Sequence, residues 1–187
     1  MDENNIIKKL KGLLGPSRFK HSLRVREKVL HLSKFHRVDH YKASTASLLH
    51  DVSRYMDRKG LLKFAEKINL PIDPISRKEP KLLHAPIAAY IAGKEFGVKD
   101  PQILMAIKSH TLGRKNMSLL EKMVYIADHV EEGRSHADAA KARKLAEADL
   151  DQAIVSISDS MIKYLRGRCL PVHPKALEVR DYYLKKA

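Results

Sequence analysis

The residues best placed to do chemistry are histidines and aspartates that interrupt apolar helical patterns. The chain has ten histidines among 187 residues. His50 and Asp51 end the apolar stretch ASLLHD, where an ionisable pair is costly to bury unless something compensates it. Taken alone, such a pair is more typical of an ordinary helix end than of a reactive site.

Two residues on other helical segments change the interpretation of that pair. His21 lies on the apolar stripe of its segment, and Asp128 lies inside MVYIAD, where a carboxylate is equally out of place. Singly, they would be read as a core histidine and a helix-end carboxylate. Together with His50 and Asp51 they form the nitrogen and oxygen set that a borderline divalent cation takes.

His84 and His110 extend this set to a second cation. His84 stands just before a helix with Pro86 in its first turn, and His110 closes the apolar face of the next helix. Paired divalent metals suit displacement at phosphorus, because they stabilise the attacking and leaving oxygens and generate hydroxide near neutral pH. The sequence therefore predicts a dinuclear site bridged by Asp51, with the ligands His21, His50, Asp51, His84, His110 and Asp128.

The remaining histidines fit ordinary roles. Three of them have polar neighbours and one lies in a charged loop; these are His31, His36, His40 and His136. His129 points about 100° away from Asp128 on the same helix. The role of His173 stays open, because its Pro-His-Pro turn could contact a ligand.

The elements that must position these residues all have helical patterns. Asp39, the Asp100–Pro101 pair and the Ser118–Glu121 capping box predict helix starts. No period-two strand pattern occurs, and Pro71–Pro80 is predicted to be a loop. We expect an all-α fold in a single domain over residues 1–187, with helices over 3–14, 17–36, 59–69, 86–97, 101–109, 138–147, 149–166 and from Pro174 onward. Two further helices are expected, one that Asp39 caps and that includes His50, and one that Ser118 opens and that carries Asp128.

Composition narrows the class of protein. The single cysteine excludes an intrachain disulfide, and no apolar run approaches the roughly 20 residues that cross a bilayer. The N-terminus lacks the pattern of a signal peptide. These features predict a cytoplasmic protein with no membrane partner. The net charge of +14 is spread along the chain, as expected for a solvated surface with a minority of residues serving a phosphate ligand.

The order of the six candidate ligands resembles the HD superfamily of metal-dependent phosphohydrolases. The strings RFKHSLRV, LLHDVSRYM, LHAPIAAYIA, AIKSHTLGRKNMSLLEKMVYIADHVEEGR and PVHPKAL resemble one branch, the YqeK-type symmetrical diadenosine tetraphosphatases, from about residue 15 to 180. The resemblance implies an all-helical HD-domain bundle around two divalent metal ions. Iron is the family's usual metal, with manganese, cobalt and zinc as alternatives.

The resemblance also implies a reaction and a substrate site. A metal-bridging hydroxide would split diadenosine tetraphosphate into two molecules of ADP, with Asp51, Asp128 and His110 at the reaction centre. The chain carries Glu132 where the family pattern often has proline. The implied nucleotide contacts are Arg18, Lys81, His110, Thr111, Asp128, Arg134 and the loop Leu170, Pro171, Val172, His173, Pro174 and Lys175.

Other functions remain open at this stage. The same metal pair would serve an HD-type nucleotide phosphomonoesterase or another dinucleotide polyphosphatase. A one-metal nucleotidase would leave His84 and His110 unexplained. A non-catalytic nucleic-acid-binding or regulatory HD protein is motivated by the net charge of +14, but no recognition-helix motif supports nucleic acid as a partner. The oligomeric state is open, with a homodimer as one option.

Overall fold

The computed structural model describes residues 2–186, and within them the chain is helical without any strand. This confirms the all-α prediction. Two 3-10 turns, Val52–Tyr55 and Pro80–Leu83, accompany the α-helices. The α-helices are α1 Glu3–Leu13, α2 Pro16–Leu32, α3 His40–Leu49, α4 Arg58–Lys67, α5 Pro74–Lys78, α6 His84–Glu95, α7 Pro101–Ser109, α8 Leu119–Val130, α9 Ala137–Ala148, α10 Leu150–Gly167 and α11 Pro174–Leu184.

Helix starts are fixed by side chains that accept hydrogen bonds from free backbone N–H groups. Asp39 caps α3 and Asp100 caps α7, where Pro101 occupies the first helical position. At the start of α8, the Ser118 hydroxyl accepts from the backbone of Glu121, and the Glu121 carboxylate accepts from the backbone of Ser118. These local signals set where α3, α7 and α8 begin, and those helices carry or precede candidate ligands.

The core lies where α2, α3, α6, α7 and α8 pack together, while α10 packs on α8, α9 and α11. Val25, Leu48, Ile91, Ile107 and Val124 are fully buried within it. Each such side chain contributes about 1.5–3 kcal/mol by leaving water. The candidate ligands are attached to these packed helices, so the core fixes their relative positions.

Some predicted bounds were wrong. The predicted loop Pro71–Pro80 contains α5, because Asp73 accepts hydrogen bonds from the backbone N–H groups of Ile75 and Ser76, both at 2.9 Å. The helix predicted over 17–36 ends at Leu32. None of the helices in the described part of the chain is long and apolar enough to cross a membrane.

Candidate metal centre

The six predicted ligands converge from five helices. His21 lies in α2, His84 opens α6, and Asp128 lies in the last turn of α8. His50 and His110 directly follow the last residues of α3 and α7. We call these five residues and Asp51 the histidine–aspartate centre. Five of its six members are buried, and Asp128 is partly exposed at its edge.

The two carboxylate oxygens of Asp51 face different histidines. Oδ2 lies 3.7 Å from Nε2 of His21 and 3.5 Å from Nε2 of His50. Oδ1 lies 3.2 Å from Nε2 of His84 and 3.8 Å from Nε2 of His110. One carboxylate therefore stands between two imidazole pairs, as a bridging ligand would.

Asp128 lies beside the first of these imidazole pairs, His21 and His50. Its Oδ1 atom lies 2.9 Å from Nε2 of His21 and 3.9 Å from Nε2 of His50. Three sets of donor atoms, each with all atoms within 4.8 Å of one another, can be drawn from the centre. Two of them share Asp51: one contains His21 and His50, and the other contains His84 and His110.

Backbone carbonyl groups fix the orientation of three imidazoles. Nδ1 of His50 and Nδ1 of His110 donate to the carbonyl oxygen three residues earlier, at 2.6 and 2.7 Å. His84 makes the same contact with the carbonyl of Lys81. A carbonyl oxygen can only accept, so each Nδ1 carries the proton and each neutral Nε2 presents a lone pair to the centre.

These lone pairs fit a cation and little else. Nε2 of His21 and Nε2 of His50 are buried without a hydrogen-bond partner among residues 2–186. Nε2 of His84 lies 2.9 Å from Nε2 of His110, and the Thr111 hydroxyl beside both has one proton and satisfies only one of them. Unpaired acceptors that face one another are destabilising, whereas a divalent cation would take them as ligands.

The protonation states of the side chains in the centre are also those of metal ligands. Burial lowers the pKa of the His50 imidazole and lowers that of His110 to about 3. Burial opposes ionisation of Asp51 and Asp128, but the surrounding histidines outweigh it and hold both carboxyl pKa values below the ordinary range. Neutral imidazoles and ionised carboxylates are the forms that coordinate divalent metals.

Glu131 belongs to this site and was missed in the sequence. Its side chain is buried, and its Oε1 atom accepts from Nδ1 of His21 at 3.1 Å. Burial alone would raise the Glu131 pKa, but hydrogen bonds from Arg24, the Gly133 backbone and His21 lower it to about 2. Glu131 thus turns Nε2 of His21 toward the centre. Its spacing of three residues from Asp128 was the available signal, since such residues share a helix face.

Three of the predicted nucleotide contacts lie at the edge of the centre. Nη1 of Arg18 donates to Oδ2 of Asp51 at 2.6 Å. Nη2 of Arg134 lies 3.6 Å from Oδ1 of Asp128, and its side chain is 41% exposed, which leaves it accessible to a ligand. Thr111 lies between His84 and His110, as described above.

The other predicted contacts are less close. The Lys81 side chain is exposed, and only its carbonyl contacts the centre, through His84. Pro171 and His173 line a cavity that reaches His84 and Asp128. His173 also caps α11 and lies 3.4 Å from Asp73. Leu170, Pro174 and Lys175 are exposed, and Val172 is half-buried.

Histidines predicted to have other roles lie outside the three ligand sets. His31 pairs with Glu147 at 2.9 Å. His36 donates to the Ala146 carbonyl, and His129 to the carbonyl one turn earlier. His136 accepts from the backbone at the start of α9, and exposed His40 opens α3.

Two cavities meet at the centre. The smaller, about 160 Å³, is lined by His84, Thr111, Pro171 and His173. The larger, about 930 Å³, runs past Arg134 along α10. Asp128 and His129 line both. A ligand with two arms would therefore reach the centre from both sides.

Comparison with known proteins agrees with this geometry. The HD domain family model matches residues 18–133. The chain is 33% identical over 184 residues to the symmetrical bis(5'-nucleosyl)-tetraphosphatase of Halalkalibacterium halodurans, covering 98% of each chain. It is 34% identical over 175 residues to the protein of that name from Bacillus subtilis, covering 93% of each.

A solved structure has the same fold. The crystal structure of "a predicted HD superfamily hydrolase involved in NAD metabolism" from Clostridium acetobutylicum matches with a TM-score of 0.95 and 32% identity. The match covers 100% of this chain and 99% of that one. The likeness extends over the helices that carry the centre and over those that line both cavities. The chain belongs to the HD domain family, in the group that includes the symmetrical bis(5'-nucleosyl)-tetraphosphatases.

Proposed function

We propose that this protein hydrolyses diadenosine tetraphosphate symmetrically into two molecules of ADP. The observation that carries the proposal is the placement of the two Asp51 oxygens against separate histidine pairs, in a centre whose Asp128 lines two cavities. The names of three relatives that the chain matches over nearly their whole length, from Halalkalibacterium halodurans, Bacillus subtilis and Staphylococcus aureus, support the choice of substrate.

Two divalent cations would be held by the centre, with iron expected from the resemblance and manganese, cobalt or zinc as alternatives. His21, His50 and Asp128 would hold one, His84 and His110 the other, and Asp51 both. When bound, such a pair lowers the pKa of a water molecule and neutralises phosphate charge. The lone pairs of the buried imidazoles, which lack other partners among the described residues, support this assignment.

The side chains at the edge would position the polyphosphate. Arg18 uses one N–H group on Asp51, and a guanidinium has five, so it retains donors for phosphate oxygens. Arg134 is accessible beside Asp128 and can bind a phosphate in the same way. The Thr111 hydroxyl can donate to a phosphate oxygen once the imidazoles beside it are bound to metal.

Cleavage between the two central phosphorus atoms follows from this arrangement. One ADP unit would lie in the smaller cavity against the loop 170–175, with its terminal phosphorus beside the centre, where Arg18 on Asp51 could reach its phosphate oxygens. The other ADP then departs, and it is a good leaving group that needs no strong general acid.

Three further predictions from the sequence stay predictions. They are a single domain over residues 1–187, a cytoplasmic location and a homodimer.

Product analysis tests the proposed function directly. Metal-loaded protein, purified without oxygen, is incubated with diadenosine tetraphosphate, and the nucleotides are separated by chromatography. We expect ADP alone. AMP plus ATP would contradict the pose, and activity confined to nucleoside monophosphates would favour the phosphomonoesterase alternative.

Arg134→Ala tests nucleotide recognition in the same assay. Loss of a charged hydrogen-bonded contact should lower kcat/KM on the tetraphosphate. The expected decrease corresponds to a loss of roughly 1.5–3 kcal/mol in transition-state stabilisation. The loss on p-nitrophenyl phosphate should be much smaller. Arg37→Ala, at an exposed arginine beyond the end of α2, is the matched control and should leave kcat/KM on both substrates at the parent value. Equal losses on both substrates would assign Arg134 to support of the fold or the metals.

A further inference from the structure

The larger cavity lies between the second half of α10, the end of α8 and the start of α9. Its wall includes Ile157, Met161 and Tyr164 of α10 and Arg168 directly after that helix, and these residues follow the spacing of one helix face. Its inner end is Asp128, a member of the histidine–aspartate centre. The cavity therefore begins at the reaction centre and follows α10 to its C-terminal end.

The side chains of this cavity suit a nucleotide. Tyr164 is 56% exposed, and the guanidinium of Arg168 lies 4.9 Å from the centroid of its ring. Lys163 and Arg134 add positive charge. An exposed aromatic ring with neighbouring cations is a platform for a base and for phosphate groups. Asp138, whose carboxylate accepts from Ser160 at 2.6 Å, provides an acceptor for ribose hydroxyls.

The size of the two cavities separates their roles. The smaller cavity, about 160 Å³, has room for only part of a dinucleotide. The larger, about 930 Å³, lies in the range of about 300–1,000 Å³ that is typical of ligand pockets. A substrate that reacts at its middle must place its two halves on opposite sides of the metals.

We propose that the larger cavity is a distal subsite for the departing nucleoside diphosphate arm, with its base stacked on Tyr164. This inference rests on the proposed function. Lys163 and Arg168 neutralise the phosphates of that arm, and Arg134 lies where the two arms meet. The stack on Tyr164 adds binding energy only for substrates that carry a second nucleoside, whereas the phosphate contacts are available to both kinds.

The test compares two substrates that differ only in the second nucleoside. Diadenosine tetraphosphate and adenosine 5'-tetraphosphate carry the same four phosphates, but the latter has one adenosine. Tyr164→Ala should reduce kcat/KM on the dinucleotide by roughly 5- to 150-fold, the range for loss of one base–aromatic stack. The mononucleotide should change less than about two-fold, and Tyr164→Phe should restore the parent value because it keeps the ring.

Tyr41→Ala is the matched control, because Tyr41 is 54% exposed and lies in the first turn of α3. The Tyr41 variant should have the parent kcat/KM on both substrates. Equal losses on the two substrates in Tyr164→Ala, or no loss on either, would overturn the subsite while leaving the proposed function intact. A parent protein that does not split diadenosine tetraphosphate would overturn the proposed function and the subsite with it.

Discussion

Two regions of this molecule bury carboxylates, and they satisfy them differently. Glu121 is 1% exposed and accepts from Nε and Nη2 of Arg114, both at 2.6 Å, from the Ser109 hydroxyl at 2.8 Å and from the Ser118 backbone at 2.8 Å. Asp51 is 2% exposed and has one strong donor, Arg18. Nε of Arg54 lies 4.0 Å from its Oδ1 atom, and the nearer neighbours are imidazole nitrogens that present lone pairs.

The difference separates a structural ion pair from a reactive site. Around Glu121 the donors match the acceptors, so the cluster joins α7 to α8 without needing a ligand. Around Asp51 the acceptors outnumber the donors, and Nε2 of His50 remains without a partner among residues 2–186. A fold that leaves buried acceptors facing one another loses stability unless a cation binds there. Unpaired imidazole nitrogens that face a shared carboxylate therefore mark the functional region.

The largest effect should come from Asp51→Asn. Asparagine has almost the same size but lacks the charge needed to hold two cations, so turnover should fall by at least roughly two to three orders of magnitude. Helical content should stay near that of the parent. Activity and circular dichroism on the same preparation check this. Near-normal turnover in the folded variant would refute the bridging role.

The next effect distinguishes histidines inside the centre from those beside it. His110→Ala removes an imidazole that faces Asp51 and should cost more than the roughly 10- to 100-fold typical of an outer partner. His129→Ala removes an imidazole that lines both cavities but belongs to none of the three ligand sets, and its Nδ1 donates to the Tyr125 carbonyl, so activity should stay within a few-fold. A folded but inactive His129 variant would show that the wrong face of α8 has been assigned to the metals.

The smallest effect on turnover should come from Glu121, the carboxylate whose hydrogen bonds are all provided by protein donors. Glu121→Gln removes the charge that Arg114 pairs with and should lower the free energy of unfolding by about 1–3 kcal/mol. Each kcal/mol corresponds to a Tm shift of about 2–4 °C in a chain of this size. Turnover per folded molecule should not change, and thermal unfolding with parallel kinetics measures both. A loss of turnover without a loss of stability would contradict the division between the two regions.

Much of this arrangement was predictable because its signals are local. The capping residues Asp39, Asp100 and Ser118 fix helix starts that the structure confirms. The histidines and aspartates of the centre interrupt apolar patterns and can be recognised one helix at a time. The convergence of their helices was implied only by the shared chemistry of the ligands and by the family resemblance.

The parts that were missed depend on contacts between distant segments. Glu131 reads as one more charge in the run EEGR, and it is buried only because Arg24 and His21 of α2 pack against it. Tyr164 and Arg168 read as a solvated face of α10. They line a cavity only because the end of α8 and the start of α9 lie opposite them.

Metal content per chain tests the central claim most directly. Protein purified without oxygen and fully loaded should contain two divalent metal ions per chain, because Asp51 presents its two oxygens to separate imidazole pairs. Glu121→Gln should also contain two, and Asp51→Asn fewer. Elemental analysis beside a protein assay gives the ratio. One metal per chain in a fully loaded, active sample would contradict the paired site and favour a one-metal nucleotidase.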